Sequence, residues 1–390
     1  MPQTKRNAKS VNNTIKHRVV QSKFYSSSIN LWDWWRRSLW QRLVIILMVI
    51  VTILVSGSYG ISYWYLQRHR HEPLTLGVTF IPRYAAFFGL DPKQTMQAII
   101  DELGVRRFRL VSYWDDIEKT PGTYDFSQLD WQFTKAEAAG AKVDLAVGLR
   151  QPRWPECHMP TWAASEPESV WYPQLRSFMT AVVERYKNSP ALISYQVENE
   201  FFMTIFGECT NFDRNRLVTE YNLVRRLDPT KPIVVTRSNN WGGVPIGEPT
   251  PDIYAVAVYK RVFDYTVMHR YFEYPYPPWF YGFLGGLGEL IHGKPLVIHE
   301  LQMEPWLPNG FAMNDIASIP EQNKSMNADR LQKRFRYAED TGLRTIDAWG
   351  VEWWYWRKEK AHDPSLWNVA KSEFTRANQL NTQAATSEAK

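Results

Sequence analysis

Short aliphatic runs alternate with amphipathic segments along most of this chain, and no other feature constrains its fold as strongly. Eight runs are typical of strands, because they are β-branched or aliphatic and are bounded by Gly, Pro or polar residues. These runs are 76–82, 105–114, 142–150, 192–201, 232–237, 252–260, 295–304 and 345–356. Amphipathic segments predict helices between them at 92–103, 127–139, 169–187, 213–227, 320–341 and 365–378.

Eight strands that are mostly followed by helices predict a (β/α)8 barrel, the TIM barrel, over residues 72–378. A doubly wound open sheet is the alternative, but it usually needs a glycine-rich phosphate loop after the first strand. The sequence there is Ile-Pro-Arg-Tyr at 81–84, without a glycine. We expect residues 379–390 to form a disordered tail.

An uncharged stretch near the amino terminus predicts a single transmembrane helix before the barrel. The stretch from Leu43 to Gln67 contains no charged residue and is long enough to cross a bilayer. Trp40 before it and the aromatic residues 63–65 near its end fit interfacial aromatic belts. Basic residues are concentrated before this stretch. The positive-inside rule therefore predicts a basic, largely disordered cytoplasmic tail at 1–41, an anchor at 42–66 and a catalytic domain outside the cell membrane. A cleaved signal peptide is the alternative.

The net charge of +6 belongs to the amino-terminal segment, not to the predicted barrel. Residues 1–71 hold eleven Lys/Arg and one Asp, so the rest of the chain carries 35 basic and 39 acidic residues. This balance gives no support to nucleic-acid binding. We expect no cofactor and no metal, since His158 beside Cys157 lacks further ligands at a recognisable spacing.

The two cysteines, Cys157 and Cys209, fall in the predicted loops after the third and fourth strands. Neighbouring loops of a barrel are close enough for a disulfide, which fits a domain outside the cytoplasm. Two unrelated buried thiols are the alternative.

Two strands end in a glutamate, Glu200 on the fourth and Glu300 on the seventh. The carboxyl ends of the strands form the active face of a TIM barrel, and paired carboxylates there are the machinery of glycoside hydrolysis. Alternation along the strands predicts that Glu198 shares the face of Glu200 at a deeper level, and that His299 points away from the site. For either glutamate alone, a salt bridge or a helix cap is the structural alternative.

Several motifs resemble the clan-A glycoside hydrolases, which include cellulase-like and β-galactosidase-like barrels. The residues that carry the resemblance are Asn199-Glu200 with Glu300 three strands later, Phe108-Arg109-Leu110 on the second strand, Tyr259 on the sixth and the tryptophan-rich segment 350–356 on the eighth. The resemblance covers about residues 76–376. It implies a retaining mechanism, but it does not point to one substrate.

The resemblance also implies roles for individual residues. Glu200 would be the acid/base and Glu300 the nucleophile, and Asn199 would donate to the sugar 2-hydroxyl. Arg109 and Tyr259 would hold Glu300 ionised and oriented. A structural salt bridge is the alternative for Arg109.

Two further residues are expected to bind substrate. Trp354 would form an apolar floor under the sugar, and His158 would contact the sugar from the loop after the third strand. Core packing is the alternative for any single tryptophan.

The sequence therefore predicts a membrane-anchored retaining glycoside hydrolase that cleaves an extracellular β-linked oligo- or polysaccharide through a glycosyl-enzyme intermediate. A transglycosylase with the same mechanism and a catalytically inactive carbohydrate-binding barrel are the alternatives. The sugar, the linkage and the oligomeric state are left open by the sequence.

Overall fold

The computed structural model describes residues 39–209, 211–236 and 247–388, with side chains up to residue 383. The chain divides into two compact units, Met1–Gly57 and Ser58–Lys390. Residues 39–57 of the first unit are described.

Eight parallel strands of the second unit close into a barrel, so the predicted TIM barrel is confirmed. The described strands are β1 Thr75–Thr79, β2 Arg107–Val111, β3 Lys142–Val147, β4 Leu192–Val197, β5 Ile233–Thr236, β6 Ile253–Val258, β7 Arg261–Phe263, β8 Tyr271–Glu273, β9 Leu296–Gln302 and β10 Thr345–Trp349. Their order around the barrel is β1-β10-β9-β6-β5-β4-β3-β2, and β7 and β8 form a separate antiparallel pair after β6.

Helices connect most of these strands. Those described are α1 Leu39–His69, α2 Pro82–Phe87, α3 Pro92–Glu102, α4 Trp114–Ile117, α5 Ser127–Ala138, α6 Thr161–Ala164, α7 Glu168–Tyr186, α8 Arg214–Leu227, α9 Pro278–His292, α10 Ile319–Ser325, α11 Ala328–Glu339, α12 Val351–Glu359 and α13 Ser365–Glu388. Residues 237–246, which follow β5, lie outside the described residues.

Alternation along β2 divides apolar from polar side chains. On β2, Phe108 and Leu110 join the apolar core between strands and helices, whereas Arg107 and Arg109 contact residues of other strands across the barrel interior. The inner face of β2 therefore places two charged groups in the barrel interior, below the active face.

Two predicted boundaries at the carboxyl-terminal end are wrong. The eighth strand was expected to run to 356, but β10 ends at Trp349, because Gly350 adopts a left-handed conformation (φ 115°) and starts α12. The tail expected to be disordered from 379 is helical to Glu388. Asn381 on this helix accepts a hydrogen bond from the backbone nitrogen of Leu74 at 2.8 Å and donates to its oxygen at 2.9 Å, which holds α13 against the start of β1.

Helix α1 is long and apolar enough to cross a membrane, and the residues of its most apolar window are exposed. Its last turns belong to the barrel unit. Ser62 and Tyr65, which the sequence places inside the predicted span, are buried against α9. Glycines on α9 allow this contact, since a Cβ at Gly285 would lie 2.8 Å from the Tyr65 ring.

Candidate active site

Arg109 is fully buried in the barrel interior and joins three strands through one guanidinium group. Its Nε donates to Gln196 on β4 at 2.7 Å, Nη1 donates to Glu300 on β9 at 2.8 Å, and Nη2 donates to Asn199 after β4 at 2.8 Å. The planar arrangement of five N–H groups makes arginine suited to several acceptors at once. Three predicted site residues, Arg109, Asn199 and Glu300, thus form one hydrogen-bonded group.

Tyr259 completes the support of Glu300. Its hydroxyl donates to Oε2 at 2.9 Å, while Arg109 occupies Oε1, so each carboxylate oxygen accepts one hydrogen bond. Burial, and then the negative charge of Glu300, raises the pKa of Tyr259 well above its usual value. The hydroxyl therefore keeps its proton and stays a donor.

The prediction that His299 points away from the site is wrong. A β-bulge interrupts the pairing of β9 with β6, so that the register passes from Ile298 to Glu300. Both His299 and Glu300 therefore face the barrel interior. His299 lies one level below Glu300, where its Nε2 lies 2.9 Å from Asp144.

Glu200 is buried directly after Asn199 (4% exposed) and has a positive φ of 42°. Its Oε1 has no hydrogen-bond partner in the described part of the chain. Burial, followed by the negative charges of Glu300 and Glu156, raises the pKa of Glu200 well above its usual value. Glu200 thus holds its proton more tightly than an exposed glutamate does.

The prediction that Glu198 lies in the barrel interior on the face of Glu200 is wrong. Its carboxylate accepts hydrogen bonds from the backbone nitrogens of Leu149 (2.7 Å) and Arg150 (2.9 Å) and from Arg216 on α8 (3.1 and 3.2 Å). β4 ends before this residue, and Glu198 and Glu200 both have a positive φ, so strand alternation does not reach them. Glu198 instead ties the loop after β3 to α8.

Glu156 is a third buried carboxylate of the site that the sequence did not single out. Its Oε2 accepts a hydrogen bond from Nδ2 of Asn199 at 3.0 Å, and Nη2 of Arg150 lies 3.7 Å away. Burial raises its pKa to about 7, with the charge of Arg150 opposing and that of Glu300 adding to the shift. The only sequence signal was its position beside Cys157 in the loop after the third strand.

The prediction that Trp354 forms the floor of the site is contradicted by its burial. It is fully buried on α12, and its indole nitrogen donates to the backbone oxygen of Met303 at 2.8 Å. Trp349, at the end of β10, lies at the active face instead and donates to Glu304 at 2.9 Å. The early end of β10 at Gly350 explains the difference, because the residues after it turn into α12.

Two of the cavities at the active face are lined by predicted site residues. The first, here the central cavity, has a volume of about 130 Å³ and is lined by Glu156, Tyr259, Glu304, Trp306, Trp349 and neighbouring residues. The second, here the outer cavity, has a volume of about 490 Å³ and is lined by Tyr84, Phe87, Tyr113, Trp154, His158 and neighbouring residues. Both cavities share Arg153 and Trp154 as lining residues.

His158 reaches the outer cavity and makes no hydrogen bond to either predicted catalytic glutamate within the described residues. Its ring stacks on Tyr113 with centroids 3.6 Å apart, and Nε2 lies 3.1 Å from the backbone oxygen of Arg153. Burial lowers its pKa to about 3, so the ring is neutral at physiological pH. A sugar contact by His158 stays a prediction.

The predicted bridge between Cys157 and Cys209 is present, with Cα atoms 5.3 Å apart. It joins the loops after β3 and β4, which carry Glu156 and Glu200. Among residues 39–209, 211–236 and 247–388, no group of three or more His, Cys, Asp or Glu side chains could hold a metal ion.

Residues 92–229 match the glycoside hydrolase 42 family, described as beta-galactosidase. Similar solved structures include endo-glycoceramidase II from Rhodococcus sp. in a cellobiose-like imidazole complex (13% identity, 71% of this chain and 73% of that chain, TM-score 0.46). A beta-galactosidase from the Antarctic haloarchaeon Halorubrum lacusprofundi is 13% identical over 70% of this chain and 52% of its own, with a TM-score of 0.48. The exo-beta-1,4-mannosidase Op5Man5 from Opitutaceae bacterium strain TAV5 is 12% identical over 78% of this chain and 60% of its own, with a TM-score of 0.49.

The family match covers the β2 arginine and the Asn-Glu pair that follows β4. The match spans about a third of the chain; together with the closed eight-stranded parallel barrel, it supports a glycosidase that resembles the clan-A glycoside hydrolases.

Proposed function

We propose that this protein is a membrane-anchored retaining glycoside hydrolase that cleaves the O-glycosidic bonds of a β-linked oligo- or polysaccharide outside the cytoplasmic membrane. The observation that carries the proposal is the hydrogen-bonded group in which Arg109 binds both Glu300 and Asn199. One guanidinium group thereby fixes the distance between Asn199, which directly precedes Glu200, and the carboxylate of Glu300. A retaining glycosidase needs this fixed geometry, because its two carboxyl groups work roughly 5 Å apart.

Glu300 is the nucleophile in this proposal. Arg109 and Tyr259 each donate to one of its oxygens, which leaves further lone pairs on both oxygens for attack on a sugar. Glu300 attacks the anomeric carbon, the bond from that carbon to the leaving oxygen breaks, and a glycosyl-enzyme ester forms.

Glu200 is the acid/base. Its raised pKa keeps it protonated, and the unpartnered Oε1 is available to a substrate oxygen. It gives its proton to the leaving oxygen in the first step. In the second step it takes a proton from the water that attacks the ester and so returns to the protonated form.

Asn199 is the donor to the sugar 2-hydroxyl. Its Oδ1 accepts from Arg109 and from Gln196, so Nδ2 is the atom that remains to donate. A contact of this kind strengthens as the sugar becomes oxocarbenium-like. Trp349, which lines the central cavity, takes the place expected of Trp354 as the apolar floor.

The anchor and the location are part of the same proposal. An apolar helix precedes the barrel, and the basic residues before it favour a cytoplasmic amino terminus. The disulfide between Cys157 and Cys209 agrees with an oxidising compartment for the barrel.

Hydrolysis is favoured over an inactive binding barrel, because a barrel that only binds sugar has no use for a buried glutamate with a raised pKa beside a second carboxylate. Transglycosylation shares the glycosyl-enzyme, and acceptor binding and water access distinguish it from hydrolysis.

The proposal is tested by the anomeric form of the first product and by loss of the nucleophile. We expect proton NMR of a fresh digest of a β-glycoside to show the β-anomer before mutarotation. Glu300→Gln is expected to abolish turnover of every substrate while thermal unfolding stays cooperative. An α-anomer as first product would contradict the retaining mechanism, and a Glu300→Gln enzyme at the wild-type rate would contradict the whole proposal.

A further inference from the structure

Glu156 has no part in the two chemical steps above, although it lines the central cavity together with Tyr259. Tyr259 contacts Glu300, so this cavity lies beside the proposed nucleophile. The Glu156 side chain is nearly fully buried (4% exposed). A carboxyl group in this place is within reach of a sugar bound for attack by Glu300.

The backbone around Glu156 is unusual for a residue with no function. Its φ is 71°, a left-handed conformation that costs a residue other than glycine about 1–2 kcal/mol. Gly207 on the neighbouring loop also adopts a positive φ, and a Cβ there would lie 2.8 Å from Cβ of Glu156. The adjacent Cys157 carries the disulfide to that same loop. Three separate features therefore hold Glu156 in one position.

Glu156 gains little stability from its partners. Arg150 is its cationic neighbour, but the nitrogen-to-oxygen distance of 3.7 Å is long for a salt bridge. None of the three guanidinium nitrogens of Arg150 has a hydrogen-bond partner among the residues that the structure describes. Burying a carboxyl group with such partial pairing is unfavourable for folding. A structural salt bridge thus does not explain the position of Glu156.

The hydrogen bond from Asn199 to Glu156 places Glu156 close to the proposed binding position of the sugar. Asn199 is the proposed donor to the sugar 2-hydroxyl, and the same Nδ2 atom donates to Glu156 at 3.0 Å. A carboxyl group that accepts one such bond keeps further lone pairs for hydroxyl donors. A ligand near Asn199 therefore lies near Glu156 as well.

We propose that Glu156 is a specificity-determining residue of the central cavity, which accepts a hydrogen bond from a hydroxyl group of the sugar attacked by Glu300. This inference rests on the proposed glycosidase function and extends it to the recognition of the sugar. By binding Nδ2 of Asn199 when the cavity holds no sugar, Glu156 also keeps that amide in the orientation needed for the 2-hydroxyl.

The test compares wild type and Glu156→Gln as full-length proteins in detergent. A panel of 4-nitrophenyl β-glycosides (glucoside, galactoside and mannoside) first gives the sugar that the wild type cleaves, and its monodeoxy analogues are then measured. We expect Glu156→Gln to lower kcat/KM on the parent glycoside by about 10- to 100-fold, the range for a hydrogen bond to a carboxylate. On the one analogue that lacks the contacted hydroxyl, kcat/KM of the variant is expected to equal that of wild type, because the hydrogen bond is already absent.

Glu373→Gln is the matched control, because Glu373 is a buried carboxylate on α13 that pairs with Arg336 and Arg376. It is expected to leave kcat/KM unchanged on every analogue. An equal loss in Glu156→Gln on all analogues, or no loss on the parent, would overturn the sugar contact while leaving the glycosidase function intact. No cleavage of any glycoside by wild type would overturn the function and this inference together.

Discussion

Arg109 is the single residue on which the geometry of the site depends most. It donates to Gln196, Asn199 and Glu300, which lie on or after two other strands. A lysine could not replace it, because an ammonium group is a point charge without a planar array of donors. Its buried position also means that its charge needs these acceptors.

The sequence was informative about the polar residues at or just after strand ends, and it missed Glu156 in the loop after β3. Arg109, Asn199 and Glu300 come together as expected, because the second, fourth and seventh strands of a closed barrel share one active face. Glu156 was missed, because a left-handed loop residue has no periodicity that would reveal it. Because β10 ends before Gly350, Trp349 and not Trp354 lies at the active face.

The buried carboxyl groups predict how stability depends on pH. Burial raises the pKa values of Glu156 and of Glu352, a residue of α12, to about 7 each from the ordinary 4.5. The folded protein therefore binds more protons than the unfolded chain between these values. The stabilisation is fully present below pH 4.5 and is lost as the pH rises through 7, at about 1.4 kcal/mol per unit of pKa shift for each group.

We expect the thermal midpoint of wild type to fall between pH 5 and pH 8, and the fall to be smaller in Glu352→Gln, since a glutamine does not ionise. Differential scanning calorimetry in detergent measures the thermal midpoints of wild type and of Glu352→Gln across this pH range. The exposed Glu137→Gln controls for loss of a carboxylate and should follow wild type. If Glu352→Gln also followed wild type across this range, Glu352 would not be the group whose ionisation destabilises the fold.

At the scale of elements, the loop 151–157 after β3 is the part of the site held by a covalent bond. Cys157 links it to the loop after β4 through Cys209, and both loops carry residues of the site.

The aliphatic and amphipathic alternation predicted all eight barrel strands. It could not predict the β-bulge at His299, because a bulge depends on pairing between strands and not on the composition of one strand.

Removing the bridge is expected to affect activity as well as stability. The double variant with Cys157→Ser and Cys209→Ser loses about 2–4 kcal/mol of unfolding free energy. It should also lower kcat/KM at temperatures where it is fully folded, because Glu156 is no longer held beside Asn199. The test measures kcat/KM of both proteins with and without a reductant. The reductant should lower kcat/KM of wild type towards that of the variant, whereas kcat/KM of the variant should not change. Unchanged kinetics of reduced, folded wild type would contradict a role of the bridge in the site.

At the scale of the whole molecule, a barrel with an acidic excess follows a basic segment and an apolar helix. The alternation of strands and helices predicted the barrel. The extent of α13 was not predicted, because its polar last turns are stabilised by the Asn381 contact with Leu74, a residue about 300 positions away in sequence.

The charge asymmetry around α1 predicts the topology. Protease added to intact cells that express the full chain should digest the 72–378 domain and spare the tail at 1–41, as followed by antibodies to each part. Digestion of the tail alone would reverse the orientation. Release of a shortened soluble protein would favour the cleaved signal peptide.

Azide rescue of alanine variants tests most directly the claim that Glu300 is the nucleophile and Glu200 the acid/base. In Glu200→Ala, an aryl glycoside with an activated leaving group still glycosylates Glu300, but hydrolysis stalls because the base is missing. Azide needs no base, so it should restore turnover and give a glycosyl azide of retained β-configuration. Rescue of Glu300→Ala with that retained product would swap the two assignments, and wild-type rates in both variants on glycosides that the parent cleaves would show that neither glutamate is catalytic.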